Sequence, residues 1–306
     1  MTTLNIALVG LGNMGQKHYK TLLTMDKIKV VGLVDPRGFN SFYPVYENVE
    51  ELLKNQHVDC AIIATPTKTH FSIARKFIQA GIHLLVEKPI AFNTTEGVSL
   101  LAAAKENNCK MAVGHIERFN PAIQALIKDL KSQETIIGCS TTRIGPSPSA
   151  DVGDTGVLLD LGIHDIDLIK FITNKEIVDA TTVHTGEPSS TAMTLLKLDG
   201  DGDDIPASIF TSYDSPFRKR QIKLITRGTC TTCYEVDLMN HIVIKNTDLR
   251  GHSNSGWRKE YLYVNKIDAL KKQLQTFINY VLCTQWREGG FSISGRCAYS
   301  VKNNRG

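Results

Sequence analysis

The stretch LLDLGIHDIDLIKF, Leu158 to Phe171, sets three aspartates and one histidine among leucines and isoleucines. Asp160 and His164 stand four residues apart, which on a helix puts both side chains on one face. Leu159, Ile163, Ile166 and Ile169 supply a burying face beside them. A carboxylate near an imidazole favours the protonated ring and orients it for proton transfer. Two other chemistries fit the same residues. The acids could serve a helix N-terminus through its macrodipole, with the histidine a core residue satisfied by Asp167. Asp160 and His164 could also be two zinc ligands, but neither an H-E-x-x-H pattern nor a cysteine cluster completes a set, so metal-free chemistry is the expectation.

A further group with chemistry is Lys88, in the triplet EKP (Glu87–Pro89) that ends an apolar run from His83. The preceding run, Val58–Pro66, ends in ATPTKTH (Ala64–His70). In VGLGNMGQKH, Gly10, Gly12 and Gly15 have G-x-G-x-x-G spacing between a strand-like run and a helix-like one. The first glycine allows the tight turn, the second lets a pyrophosphate approach, and the third lets helix and strand pack closely. The free N–H groups at the helix start, around Leu11, Asn13 and Met14, then suit phosphates. Asp35 ends the second apolar run, twenty residues after Gly15. A carboxylate there hydrogen-bonds ribose hydroxyls and repels a 2′-phosphate, so NAD is expected, with Arg37 leaving NADP use open.

These groups need a scaffold that brings strand ends together. Strand-like runs at Asn5–Gly10, Lys29–Asp35, Val58–Pro66, His83–Pro89 and Lys110–His115 alternate with helical stretches at Gly15–Leu23, Thr69–Ala80 and Thr95–Asn107. That alternation predicts a doubly wound α/β Rossmann domain over residues 1–120, with Ala64, Thr65, Pro66, His70, Glu87 and Lys88 facing one crevice at the carboxyl ends of the strands. From residue 121 to 306 the texture changes. A helix (Pro121–Lys131), a strand (Thr135–Ile144) and the helix around Leu158–Phe171 precede strand-like runs at 179–185, 192–198, 207–213, 221–226 and 241–245, then a helix over Asn265–Leu282. Successive strands predict a second, α+β domain with an open, largely antiparallel or mixed sheet.

Composition bounds the rest. A formal net charge of +4 over 306 residues is too small and too dispersed for a nucleic-acid partner. The N-terminus MTTLNIALVG has no secretory pattern and no run is long enough to span a bilayer, so no membrane association is expected. Seven scattered cysteines fit a reduced, cytoplasmic protein. Cys230 and Cys233, in CTTC, are read as a turn between two strands, since no second pair accompanies them.

Taken together, the glycine motif, ATPTKTH, EKP and the D-x-x-x-H pair resemble the Gfo/Idh/MocA-type oxidoreductases, over nearly the whole chain. The resemblance implies that Lys88, Asp160 and His164 meet in a cleft opposite the nicotinamide of NAD. His164 is then the general base for a substrate hydroxyl, Asp160 orients it, and Lys88 polarises the reacting oxygen. Lys88 and His164 could exchange roles, because both carry transferable protons. GHIERFNPAI (Gly114–Ile123), TRIGPSPS (Thr142–Ser149) and DVGDTGVLLDLGIHDIDLI are similar to the UDP-N-acetylglucosamine 3-dehydrogenase branch. That implies oxidation of a UDP-sugar at its 3-hydroxyl and a homodimer or homotetramer built on the open sheet. It also implies a ketone product suited to an aminotransferase. Arg118 and Arg143 are then candidate phosphate or carboxylate ligands, and Asn120 a partner for sugar hydroxyls alongside His164. An inositol or free-sugar dehydrogenase and a non-catalytic dinucleotide sensor are the competing readings. Two departures from the family stand out: the chain ends soon after Ser294–Gly295, and RGTCTTCYE replaces an acidic, glycine-containing turn.

Overall fold

The computed structural model describes residues 3–130, 134–147, 156–186, 189–200, 202–249 and 256–283. The chain divides into two compact units: Met1–His115 together with the C-terminal segment from Leu270, and Ile116–Ala269.

In the first unit, strands β1 (Leu4–Val9), β2 (Ile28–Val34), β3 (Val45–Tyr46), β4 (Cys60–Ile63), β5 (His83–Val86) and β6 (Met111–Val113) form one sheet in the order β3-β2-β1-β4-β5-β6. Every pairing in it is parallel. β4 is buried at all four positions, as expected of a strand covered on both faces. The covering helices are α1 (Asn13–Leu22), α2 (Val49–Asn55), α3 (Thr67–Gln79) and α4 (Thr94–Glu106). Asn48 and Asn93 cap α2 and α4 by accepting from the backbone N–H of Glu51 and Glu96. The chain leaves β1 toward β2 on one side and β4 on the other, so the strand order reverses beside the carboxyl end of β1. Because the strands are parallel, Gly10, Ala64–Pro66 and Glu87–Pro89 all lie at that end of the sheet.

The last helix, α7 (Ala269–Leu282), was expected in the second domain, beyond a boundary at residue 120. It packs instead in the first unit: Leu274, Phe277 and Ile278 join the core formed by Leu4, Ile6, Leu8 and Leu33. Lys110 Nζ donates to the carbonyls of Tyr280, Val281 and Cys283 at 2.8, 3.0 and 2.6 Å, neutralising the end of that helix. The sequence from Ser294 onward lies outside the described residues.

The second unit begins with a 3-10 turn (Ile116–Phe119) and α5 (Pro121–Asp129). Its eight strands are β7 (Thr135–Pro146), β8 (Ile177–Thr185), β9 (Thr191–Leu198), β10 (Ile205–Ser212), β11 (Asp214–Arg227), β12 (Thr231–Asp237), β13 (Ile242–Asp248) and β14 (Trp257–Tyr261). They form a mixed sheet, ordered β14-β13-β12-β11-β7-β10-β9-β8, in which β7 and β10 pair in parallel and the other neighbours are antiparallel. α5 and α6 (Ile163–Thr173) cover one face, where Ile123, Leu126, Leu168 and Ile169 meet Ile209, Leu224 and Val236. The sequence reading did not anticipate β12 and β14. Residues 228–230 make the turn before β12, and Cys233 lies within that strand, paired with Ile225 and Asn246. No helix among the described residues is long and apolar enough to cross a membrane.

Candidate active site

The glycine motif forms a cradle in the first unit. Gly10 has φ +87°, a conformation L-residues rarely adopt, and a Cβ there would lie 2.6 Å from the carbonyl of Ala64. A Cβ on Gly15 would lie 1.9 Å from the carbonyl of Gly10, so the start of α1 sits directly on the turn. Gly12, by contrast, faces open space, with nothing within 4 Å of its Cβ position. It also precedes α1 with no side-chain cap, so no side chain at this position covers the N-terminal end of the helix. An open approach to uncapped helix N–H groups suits a pyrophosphate. Asn13 is exposed and Met14 half-buried, while Leu11 is buried in the core.

Asp35, 4% exposed, accepts from Leu11 N at 2.9 Å, from Arg37 N at 3.0 Å, and from the exposed Arg37 guanidinium at 3.1 and 3.2 Å. The Arg37 hydrogen bond, against the opposing effect of burial, holds the Asp35 carboxyl below the usual carboxylate range. Asp35 is therefore an anion tied to the glycine turn, with Arg37 beside it as an exposed cation. These residues fit a dinucleotide.

Around the carboxyl ends of β4 and β5, Ala64 and Thr65 are half-buried and Pro66 exposed. His70 is buried, with Nδ1 2.8 Å from the Pro89 carbonyl and Nε2 2.9 Å from that of Thr65. Both nitrogens thus face backbone carbonyls, and His70 bridges the turns that follow β4 and β5. Glu87 is likewise buried: its Oε1 lies 2.7 Å from His18 Nε2, and His18 is fully buried. His18 was missed, although it stands three residues after Gly15 on the inward face of α1. Lys88, between Glu87 and Pro89, is half-buried.

In the second unit the segment around Asp160 is not one regular α-helix. Leu158–Gly162 forms a π-helical turn that leads into α6. Such turns widen the helix locally and recur at functional sites. Gly162 permits it: a Cβ there would lie 2.6 Å from Leu158 Cδ1. Asp160 and His164 are both half-buried. Tyr213, at the end of β10, donates its hydroxyl to Asp160 Oδ2 at 2.8 Å. Burial, then the charge of Asp160, push the Tyr213 hydroxyl above its usual range, which keeps it a donor. The sequence carries no local signal for this contact, which joins residues 53 apart.

The other two acids of the segment have cationic partners. Asp167 takes both ends of the Arg118 fork, at 2.8 and 2.5 Å, and Arg118 stacks over the Phe171 ring at 5.1 Å. Asp165 accepts from Arg143 Nε at 2.9 Å, and Arg143 Nη1 donates to Glu117 at 2.9 Å. Arg143 is 1% exposed. Asn120 caps α5 through Ala122 N and donates to Glu117 and the Leu238 carbonyl. Arg118, Asn120 and Arg143, three of the four candidates for substrate contact, therefore engage protein groups. The physical reason is that the buried acids nearby demand counter-charges and donors. Within each unit the expected residues gather as described; Lys88 stands on the first unit, and Asp160 and His164 on the second.

Residues 4–115 match the family model described as "Oxidoreductase family, NAD-binding Rossmann fold". Among curated proteins, the UDP-N-acetylglucosamine 3-dehydrogenase of Acidithiobacillus ferrooxidans is 32% identical over 190 residues, which are 60% of this chain and 58% of that protein. The inositol 2-dehydrogenase of Rhizobium meliloti is 26% identical over 213 residues, 66% of this chain and 62% of that protein. The matched stretches thus span less than two thirds of either relative. A solved structure of the Acidithiobacillus enzyme superposes with a TM-score of 0.78 at 26% identity, covering 92% of this chain and 89% of that one.

Proposed function

We propose that this chain is a Gfo/Idh/MocA-type oxidoreductase, as its family-model match over residues 4–115 supports, and an NAD-dependent dehydrogenase acting on the 3-hydroxyl of UDP-N-acetylglucosamine. The observation that carries the substrate is the likeness to the solved UDP-N-acetylglucosamine 3-dehydrogenase, which runs through 92% of the chain and so includes the second unit. The cofactor reading rests on the open cradle at Gly12 and on Asp35 at the adjoining strand end.

In this reading Gly10–Gly15 and the start of α1 hold the pyrophosphate, and Asp35 meets the ribose hydroxyls. Bound NAD supplies a hydride acceptor. His164 takes the proton from the sugar hydroxyl oxygen onto a ring nitrogen. Asp160, fixed by Tyr213, holds the imidazole in orientation and stabilises it once protonated. Lys88 is the group proposed to stabilise negative charge that develops on a substrate oxygen. The ketone formed is the kind of group an aminotransferase converts to an amine.

The exposed face of the second sheet carries Val183 opposite Met193, which are 73% and 50% exposed. A second copy of the chain is the proposed cover, and a solution mass of one protomer by light scattering would count against it.

The test uses UDP-N-acetylglucosamine deuterated at C3, incubated with the protein and NAD, with the nicotinamide read by mass spectrometry. Deuterium in the nicotinamide is the expected result. If NAD binds and no deuterium arrives, the nucleotide-sugar reading falls, and inositol deuterated at C2 becomes the next substrate because of the inositol-dehydrogenase relative. Lys88→Met is expected to abolish transfer while leaving NAD bound.

A further inference from the structure

Two buried histidines grip the chain on either side of Lys88. His18 on α1 places Nε2 2.7 Å from Glu87 Oε1, and His70 on α3 places Nδ1 2.8 Å from the Pro89 carbonyl. Glu87 and Pro89 are the residues immediately before and after Lys88. Neither histidine is needed to build the sheet, since Glu87 N already donates to the Ile63 carbonyl at 2.9 Å. Burying an imidazole is unfavourable unless its polar atoms are engaged, and an apolar side chain would fill either place more cheaply. His70 does more than fill space. Its Nε2 also reaches the Thr65 carbonyl at 2.9 Å, so one ring ties the turn after β4 to the turn after β5. Both partners are carbonyl oxygens, so whichever nitrogen carries the hydrogen donates to one of the two turns.

We propose that His18 and His70 are positioning residues for Lys88, His18 holding the Glu87 side chain before it and His70 the Pro89 backbone after it, so that its ammonium is delivered to one place. The inference rests on the reading of Lys88 as the group that polarises the reacting oxygen. A displacement of about 1 Å at such a group lowers rate on the order of a hundredfold. Loss of either clamp should therefore appear in kcat more than in nucleotide affinity.

The full chain is compared as wild type, His18→Ala, His70→Ala, His18→Gln and His70→Gln. Three quantities are measured: NAD affinity, kcat and KM, and the rate at which trace acetic anhydride labels Lys88, read by peptide mass spectrometry. The expected result for the alanine variants is a kcat roughly 10- to 100-fold lower with the NAD Kd within about threefold. The Lys88 labelling rate should change while other lysines keep theirs. His70→Gln, whose amide donates two hydrogens, should recover part of kcat. If the alanine variants do not fold, the glutamine variants carry the test through the labelling rate. Folded variants with unchanged Lys88 labelling and unchanged kcat would overturn the proposal, as would a kcat loss matched by an equal loss of NAD affinity. If Lys88→Met still turns over, the functional reading fails by itself, and the labelling rates still decide whether the histidines place the lysine.

Discussion

Arg143 separates a structural arginine from a substrate ligand, and Arg143→Met is the perturbation that does so. Its side chain is 2% exposed, and two 2.9 Å contacts join it to Asp165 and Glu117, whose side chains are 2% and 8% exposed. Burial alone would push the Glu117 carboxyl up. Arg143, by charge and hydrogen bond, and then Arg220 overcome that and hold it below the usual range. At Asp165 burial wins, and its carboxyl is raised although Arg143 opposes the shift. Methionine keeps volume and removes the cation, leaving two buried carboxylates with the Asn120 amide and Arg220, 40% exposed and 3.3 Å from Glu117, to answer them. Breaking a buried ion pair from one side costs about 3–5 kcal/mol. For a unit of this size, each kcal/mol lowers the melting temperature by about 2–4 °C, so a fall of roughly 6–20 °C at pH 7 is expected. The sign with pH follows. Without Arg143 both folded-state pKa values rise above the unfolded ones, so the deficit is largest at neutral pH and shrinks as the solution is acidified through them. Calorimetry at pH 7 and pH 5, with KM for the nucleotide sugar alongside, reads all of this. A variant that melts within about 2 °C of wild type yet shows a many-fold higher KM would refute the structural assignment and make Arg143 a substrate ligand.

Three other outcomes are expected. Gly12→Ala should fold normally and weaken NAD binding, because its Cβ meets no protein atom. Gly15→Ala should lose about 1–3 kcal/mol or more of stability against the Gly10 carbonyl; equal effects of the two in thermal melts would contradict the cradle. Tyr213→Phe removes a hydrogen bond to a charged acceptor, about 1.5–3 kcal/mol, and should lower kcat by roughly 10- to 100-fold with KM near wild type; an unchanged kcat would separate Asp160 from the tyrosine's influence. Asp35 has its folded pKa lowered, chiefly by Arg37, so it contributes stability above its unfolded value of about 3.9 that is lost as pH falls through the lower folded value. The melting difference between wild type and Asp35→Asn should thus hold from pH 7 to pH 5 and narrow progressively as pH falls below about 4, and a gap that does not narrow with acidification would contradict the assignment.

The first unit was legible in the sequence because its signals are local. A buried parallel strand is a short apolar run, and the turn that follows β1 requires glycine at Gly10 and Gly15 for reasons a single residue can satisfy. The strand order then places the ends of β1, β4 and β5 together without further information. What was not legible depends on contacts between distant residues. α7 looks like any amphipathic helix, and only the packing of Leu274, Phe277 and Ile278 assigns it to the first unit. β12 alternates in burial along Thr231–Asp237, but its buried positions include Thr232 as well as Tyr234 and Val236, which blurs the apolar period of two in the sequence.

The same distinction explains why a segment built for burial holds three aspartates. Each is answered by a residue far away in sequence: Asp160 by Tyr213, Asp165 by Arg143, and Asp167 by Arg118. A buried carboxylate without such a partner is strongly destabilising, so acids in an apolar segment predict cations elsewhere in the same fold. Arg118 and Arg143 are those cations. The half-buried acid is the one held by a neutral hydroxyl rather than an arginine. Tyr213 supplies Asp160 with a donor but no positive charge, the contact expected of a carboxylate proposed to orient an imidazole four residues along the chain.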